Sequence, residues 1–297
     1  MPAKGIILAG GYGTRLFPLT AVTSKQLLPV YDKPMIYYPL ANLMSAGIKE
    51  ILIIASPESL HQFEALLGDG SQWGIRLNFE VQEKAEGIPQ AFLLAEQFLQ
   101  GSKSVLMLGD NVLVGSGLGR KLRLICDNPG CHVFAYEVED PTKYGNIRFR
   151  KDGSVKDVVE KPKNPFSRFA VPGLYFFDES APDRARILKK SKRDEYEVTD
   201  LINSYARDNS LTVSQLSRGT VWIDTGNARD LALAAEYIRV MQQRQGTYIA
   251  CLEEIALRAG WIEERTLQAF QPRIKSEYAN YVRSLKKQDV VKEVEAL

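Results

Sequence analysis

A short apolar strand that runs into three glycines sets the terms for this chain. Residues 5–9, Gly5-Ile6-Ile7-Leu8-Ala9, lead into Gly10-Gly11-Tyr12-Gly13-Thr14-Arg15-Leu16, and Lys25 follows ten residues after Arg15. Glycine lets backbone N–H groups come close to an oxyanion. A helix starting nearby would add its positive N-terminal end. With Arg15 and Lys25 as fixed cations, the loop is suited to a polyphosphate. It is not a dinucleotide fingerprint, because the sixth place counted from Gly11 is Leu16. Nor is it a P-loop, since no Gly-Lys pair occurs in the chain. A glycine-rich turn with a surface arginine would read the same way, so the remaining sequence must decide.

The 297 residues suffice for a large core and one or two domains. A net charge of +2 argues against a strongly basic nucleic-acid binder, though not against a local cationic cleft. Apolar runs such as residues 51–55 are too short for a bilayer, and the N-terminus does not read as a signal peptide. Neither nucleic acid nor membrane is therefore expected as a partner. The three cysteines (Cys126, Cys131, Cys251) lack metal spacing and suit free thiols in a cytoplasmic protein. The two histidines, His61 and His132, make poor candidates for a triad or a zinc site.

Strand patterns at 5–9, 51–55, 78–82 and 104–108 alternate with helical patterns at 35–46, 60–67 and 90–99. Gly47, Gly68 and Gly101 stand where those helices should stop. Such alternation predicts an α/β fold with a parallel sheet, which binds ligands beyond the carboxyl ends of its strands. The Gly10–Arg15 loop and Gly109-Asp110-Asn111 both fall at such ends. Further on, strands are expected at 132–138, 146–150, 155–159, 170–177 and 220–223, with a hairpin turn at Asp152-Gly153. This antiparallel part is expected to extend the same sheet. A long amphipathic helix is expected over 227–245, then helices at 252–258 and 276–285.

Asp110 and Asp224 both follow strands, and Mg²⁺ usually takes one or two protein carboxylates. Each has an ordinary alternative: Asp110 as a turn cap, Asp224 as the N-cap of the long helix. Glu160-Lys161 could serve a ligand with hydroxyls and a phosphate, or be two exposed charges before Pro162. Gln82 offers a donor and an acceptor that match a pyrimidine imide edge, although a solvated glutamine is the commoner fate.

Taken in order, these blocks resemble the sugar-1-phosphate nucleotidyltransferases over essentially the full chain. The stretch from Ser24 to Pro39 is typical of the thymidylyl subgroup, and Leu67–Ser71, Tyr144-Gly145, Thr225-Gly226 and Cys251–Ala256 also match. The resemblance implies a Rossmann-like nucleotide-diphospho-sugar transferase fold, with a mostly parallel sheet, an antiparallel sugar-binding part and a helical C-terminal appendage. It implies a catalytic domain over 1–245, divided into a nucleotide-binding part (1–130) and a sugar-phosphate-binding part (131–226). A regulatory or oligomeric segment would occupy 246–297. The implied substrates are dTTP and glucose 1-phosphate, the cofactor Mg²⁺, and the assembly a homotetramer; UTP in place of dTTP, or a non-catalytic sensor, are the alternatives.

The implied site is likewise specific. Arg15, Lys25 and Lys161 would be catalytic. Leu8, Gly10, Gly11, Gly13, Thr14, Arg15, Gln82, Gly87 and Asp110 would bind the nucleotide. Gly145, Glu160, Lys161, Val171 and Arg193 would bind the sugar phosphate, and Asp110 with Asp224 the metal. A second nucleotide site for feedback would use Gly115, Arg218, Glu254, Ile255 and Arg258.

Overall fold

The computed structural model describes residues 2–11 and 13–286; Tyr12 of the glycine loop and residues 287–297 of the expected 246–297 segment lie outside the described residues. The first half runs β1 (Lys4–Ala9), a small hairpin of β2 (Pro29–Val30) and β3 (Lys33–Pro34), α1 (Tyr37–Ser45), β4 (Glu50–Ala55), α2 (Leu60–Leu67), β5 (Arg76–Val81), α3 (Gln90–Leu94), α4 (Glu96–Leu99) and β6 (Ser104–Leu108). Strands β6, β1, β4 and β5 lie side by side in that order, all parallel. Both faces of β1, β4 and β6 are covered, so these strands read as continuous apolar runs, whereas the edge strand β5 alternates. Ile7, Ile51, Ile53 and Met107 enter the core under α1 and α2, while Ile6, Leu52, Ile54 and Leu106 pack with Phe92 of α3 on the other face.

The second half comprises β7 (Asn111–Val114), α5 (Leu118–Ile125), β8 (Cys131–Glu137), β9 (Gly145–Phe149), β10 (Val155–Glu160), β11 (Phe169–Ala170), β12 (Leu174–Phe177), α6 (Ala181–Arg186), α7 (Val198–Arg207), β13 (Leu211–Gln215), β14 (Val221–Asp224) and the long α8 (Ala228–Gln245). Strand β12 inserts antiparallel between β6 and β8. The sheet then continues through β11 and β9 to β10, while β13 pairs with β8. The antiparallel part thus extends the same sheet. Three short helices follow: α9 (Leu252–Arg258), α10 (Glu264–Gln268) and α11 (Glu277–Ser284).

Several expectations change. The strand at 220–223 does not join the main sheet; β14 pairs with β7 in a separate ribbon whose register sets Asp224 opposite Asn111. The strand expected at 170–177 breaks at Val171-Pro172-Gly173, because proline cannot donate to a ladder. The 90–99 helix is interrupted at Ala95. The helix foreseen after the glycine loop is only a single 3₁₀ turn, Thr14–Leu16. Asp224 does not cap α8; Asn227 does, accepting from the Asp230 N–H at 3.0 Å. That leaves the Asp224 carboxylate available for other work.

Candidate functional site

Three strand ends build the site. Strand β1 delivers Leu8, Gly10 and Gly11; β5 delivers Gln82; β6 delivers Gly109 and Asp110. They are laced together by the backbone: Gly109 N–H donates to Leu8 O at 2.9 Å, and Gln82 N–H to Ala55 O at 2.8 Å. Gly10 has a steric reason to be glycine, since a Cβ there would stand 2.1 Å from Gln82 Oε1. Gln82 is buried rather than solvated, and its Nε2 donates to Gln90 Oε1 at 2.7 Å. Gly13 takes a left-handed conformation at φ 60°, and Thr14 and Arg15 after it are exposed.

Lys25 opens a 3₁₀ turn, Lys25–Leu27, and its ammonium pairs with Asp110 Oδ2. Asn111 donates to the other Asp110 oxygen at 2.9 Å. Opposite lies Asp224 at the end of β14, tied in by Thr225, whose N–H donates to Asp110 O at 3.1 Å. Arg15 reaches this corner as well: a side chain at Gly226 would come within 2.6 Å of its guanidinium. Burial pushes the Asp110 carboxyl up, but the Lys25 ammonium and the Asn111 amide outweigh it and leave it below the ordinary range. Burial, then the Asp110 charge, raises Asp224 against the pull of Lys25 and Arg15. Two half-buried carboxylates, Asp110 disfavouring the charge of Asp224, flanked by two cations, form a donor set that a hard divalent cation suits. Among the described residues, no cluster of three or more His, Cys, Asp or Glu exists that could hold a metal.

One cleft joins this corner to the second half. Its walls include Arg15, Asp110, Asp224, Gly145, Glu160, Lys161 and Val171. Gly145 and Glu160 face each other across the β9–β10 pair. Lys161 follows at φ 40°, a strained conformation for a lysine, with its N–H bonded to Tyr144 O at 3.1 Å. Its ammonium lies 3.6 Å from Glu160 and remains about half exposed. Burial raises the Glu160 carboxyl, with Lys161 and Arg193 opposing. Arg193 lies beside the cleft, its Nε donating to Glu197 Oε1 at 3.0 Å. Gly87, at φ 113°, lets this block dock: a Cβ there would stand 2.1 Å from Tyr196 O. Every residue expected to contact sugar phosphate therefore lies in or beside one cleft.

The expected feedback residues fall in two groups. Gly115 and Arg218 flank the end of the β7–β14 ribbon, where a Cβ on Gly115 would crowd Thr220 Oγ1 at 2.7 Å, and Arg218 is exposed. Glu254, Ile255 and Arg258 lie on α9, with Glu254 buried and accepting from Arg258 Nε at 3.0 Å and Tyr281 OH at 2.7 Å. Both β7 and α9 pack on α1.

The cleft residues that sequence reasoning missed include Asn111, Tyr144, Tyr175 and Trp222. Asn111 Oδ1 accepts from Trp222 Nε1 at 2.5 Å and from Gly173 N–H at 3.1 Å while its amide holds Asp110. Its place directly after Asp110 was the available signal. Tyr175 and Trp222 read from sequence as strand residues, and Tyr144 stood in a matching block without a role of its own.

A family model described as nucleotidyl transferase matches residues 4–240. The chain is 48% identical over 290 residues, 97% of its length and 98% of the relative's, to a glucose-1-phosphate thymidylyltransferase of Xanthomonas campestris pv. campestris. It is 45% identical over 283 residues to one of Mycobacterium tuberculosis, covering 95% of this chain and 98% of that one. Among solved structures, a Bacillus anthracis protein assigned as a glucose-1-phosphate thymidylyltransferase, in complex with sucrose, aligns at TM-score 0.74 and 36% identity. The alignment covers 80% of this chain and 95% of that one. A UDP-glucose pyrophosphorylase complexed with UDP-glucose aligns at TM-score 0.70 and 25% identity, covering 81% and 100%. With strand-end glycines, paired carboxylates and a matching model over most of its length, the chain belongs to the nucleotidyl transferase family.

Proposed function

We propose that this chain transfers dTMP from dTTP to glucose 1-phosphate, giving dTDP-glucose and pyrophosphate. The observation that carries the reading is the single cleft in which Arg15, Asp110 and Asp224 meet Glu160 and Lys161. Leu8, Gly10, Gly11, Gly13 and Thr14 cradle the nucleotide, and Gln82 with Gly87 holds its base. Gly145, Glu160 and Val171 take the glucose hydroxyls, Lys161 grips the sugar phosphate, and Arg193 supports that wall. Asp110 and Asp224 hold Mg²⁺, which when bound neutralises triphosphate charge.

A phosphate oxygen of glucose 1-phosphate forms a bond to the α-phosphorus of dTTP as the bond to pyrophosphate breaks, in line. The electron pair of the broken bond leaves with pyrophosphate, so no protein nucleophile is needed. Catalysis is positioning and charge stabilisation. Lys161 brings in one anion while Arg15 and Lys25 hold the other, offsetting their repulsion. The test is pyrophosphate release on mixing dTTP, glucose 1-phosphate and Mg²⁺. One pyrophosphate per dTDP-glucose is expected, with none when any component or the metal is withheld; no release from the complete mixture overturns the reading.

The division at about residues 130 and 245, a cytoplasmic homotetramer and a feedback site belong to the same proposal. Among the described residues no helix is long and apolar enough to cross a membrane. The exposure of Arg218 in a single chain leaves its guanidinium available to a second nucleotide. Arg218→Ala is expected to relieve inhibition by dTDP-rhamnose with unchanged kcat and KM for both substrates; inhibition at wild-type strength would remove Arg218 from that site.

A further inference from the structure

Lys33 is the most deeply buried lysine of the described chain, at 3% exposure, and the proposed chemistry does not use it. Its ammonium donates to Asp32 Oδ1 at 2.7 Å and to Gln242 Oε1 at 3.2 Å. It lies over the rings of Tyr248 and Tyr278, 5.3 and 5.5 Å from their centroids. Gln242 is held in turn, its Nε2 donating to Asp32 Oδ2 at 3.0 Å and its Oε1 accepting from Ile249 N–H at 2.9 Å. Tyr278 donates to Glu253, which also accepts from Trp73 Nε1 at 3.0 Å. Burial lowers the Lys33 pKa, and the Asp32 charge opposes this. A buried ammonium requires such compensation, and losing one partner of a buried pair is costly.

What this junction joins is more informative than its strength. Lys33 stands on the β2–β3 hairpin, whose preceding turn carries Lys25. The link between them is stiff: Met35 N–H donates to Leu28 O and Ile36 N–H to Gln26 O, each at 2.9 Å. Gln242 stands near the far end of α8, the helix that follows Asp224 and packs on β2. Tyr248, Glu253 and Tyr278 belong to the C-terminal segment. One ammonium therefore fixes the hairpin behind Lys25, the helix behind Asp224 and the tail in one arrangement.

We infer that Lys33 is a positioning residue, holding Lys25 against the Asp110–Asp224 corner through the β2–β3 hairpin and α8. The inference rests on the roles proposed for Lys25 and Asp224. The sugar-side residues Gly145, Glu160 and Val171 lie on or beside β9, β10 and β11, outside this junction. Loosening Lys33 should therefore affect turnover more than acceptor binding, whereas a purely structural lysine would affect neither in the folded enzyme.

The experiment compares wild type, Lys33→Met and Gln242→Leu, all assayed well below their melting temperatures. For Lys33→Met, kcat is expected to fall about tenfold or more, since small misplacements of a catalytic group are costly. KM for glucose 1-phosphate should stay within about twofold, because the acceptor wall is untouched. Gln242→Leu, which keeps Asp32 beside Lys33, should show a smaller fall of the same kind and guards against a Lys33→Met chain that does not fold. Hydrogen exchange should speed up at residues 25–36 in both variants. Wild-type kcat with wild-type exchange in that segment, whatever the melting temperature, overturns the inference. An inactive wild type would instead reject the proposed activity, while exchange at residues 25–36 would still decide whether Lys33 fixes the hairpin.

Discussion

Lys25→Ala is expected to lose on the order of 10²–10³ in kcat, the usual cost of one preorganised charge-stabilising group. That corresponds to about 2.7–4 kcal/mol of transition-state stabilisation. Lys25 is the cation paired directly with Asp110, and both side chains are largely shielded from water. Removing it would take away the charge proposed to meet the triphosphate and leave a shielded carboxylate whose pKa burial would then raise. Both effects act on the same step, so the variant should fail even with dTTP and Mg²⁺ saturating. Turnover near wild type in a folded Lys25→Ala protein would remove Lys25 from the mechanism.

Acid instability should follow from His132. Its ring is 4% exposed, packed edge-on against Phe134 and Phe176, and neither ring nitrogen has a hydrogen-bond partner. Burial, reinforced by the Lys121 charge, lowers its pKa to about 4. An unfolded histidine titrates near 6.5. Above that pH both states are neutral and the site contributes no pH dependence. Between about 6.5 and 4 the unfolded chain takes up a proton that the native state does not, so stability falls with pH. The full loss is about 3 kcal/mol. His132→Phe should flatten this limb, so its melting temperature should drop less than wild type between pH 7 and pH 4.5. It also removes two unpartnered buried nitrogens, which favours the variant at every pH. Parallel acid limbs in the two proteins would contradict the assignment.

The parallel core was legible because strands buried on both faces must be apolar and their helices must stop. The runs at 5–9, 51–55 and 104–108 fall within β1, β4 and β6, and the stretch 60–67 is the whole of α2. The short elements were not legible. Helices α6 and α7 and strand β13 have mixed composition and form because the sheet and its neighbours bury one side of each. Strand β14 pairs with β7 rather than the main sheet, a choice of partner that no local pattern encodes. Within the site, the charges were readable, Asp110 and Asp224 at strand ends and Arg15 and Lys25 in the turns after β1. The supporting shell was not: Asn111 acts through three hydrogen bonds, to Asp110, Trp222 and Gly173, that exist only once β7, β12 and β14 have assembled. Asp224 was ambiguous until Asn227 proved to cap α8.

The base-holding role proposed for Gln82 leaves a close contest between nucleotides, because thymine and uracil share the imide edge that its amide would read. One methyl group is worth about 1–3 kcal/mol in a pocket, or roughly 10–200-fold. The most direct measurement is therefore kcat/KM across dTTP, UTP, ATP and GTP, each against glucose 1-phosphate and other sugar 1-phosphates, with pyrophosphate release as the readout. The expected result is the highest kcat/KM for dTTP with glucose 1-phosphate, with UTP lower within that span and the purine nucleotides far below. Higher kcat/KM with UTP or a purine nucleotide, or no pyrophosphate from any pair, would contradict the proposed thymidylyl transfer.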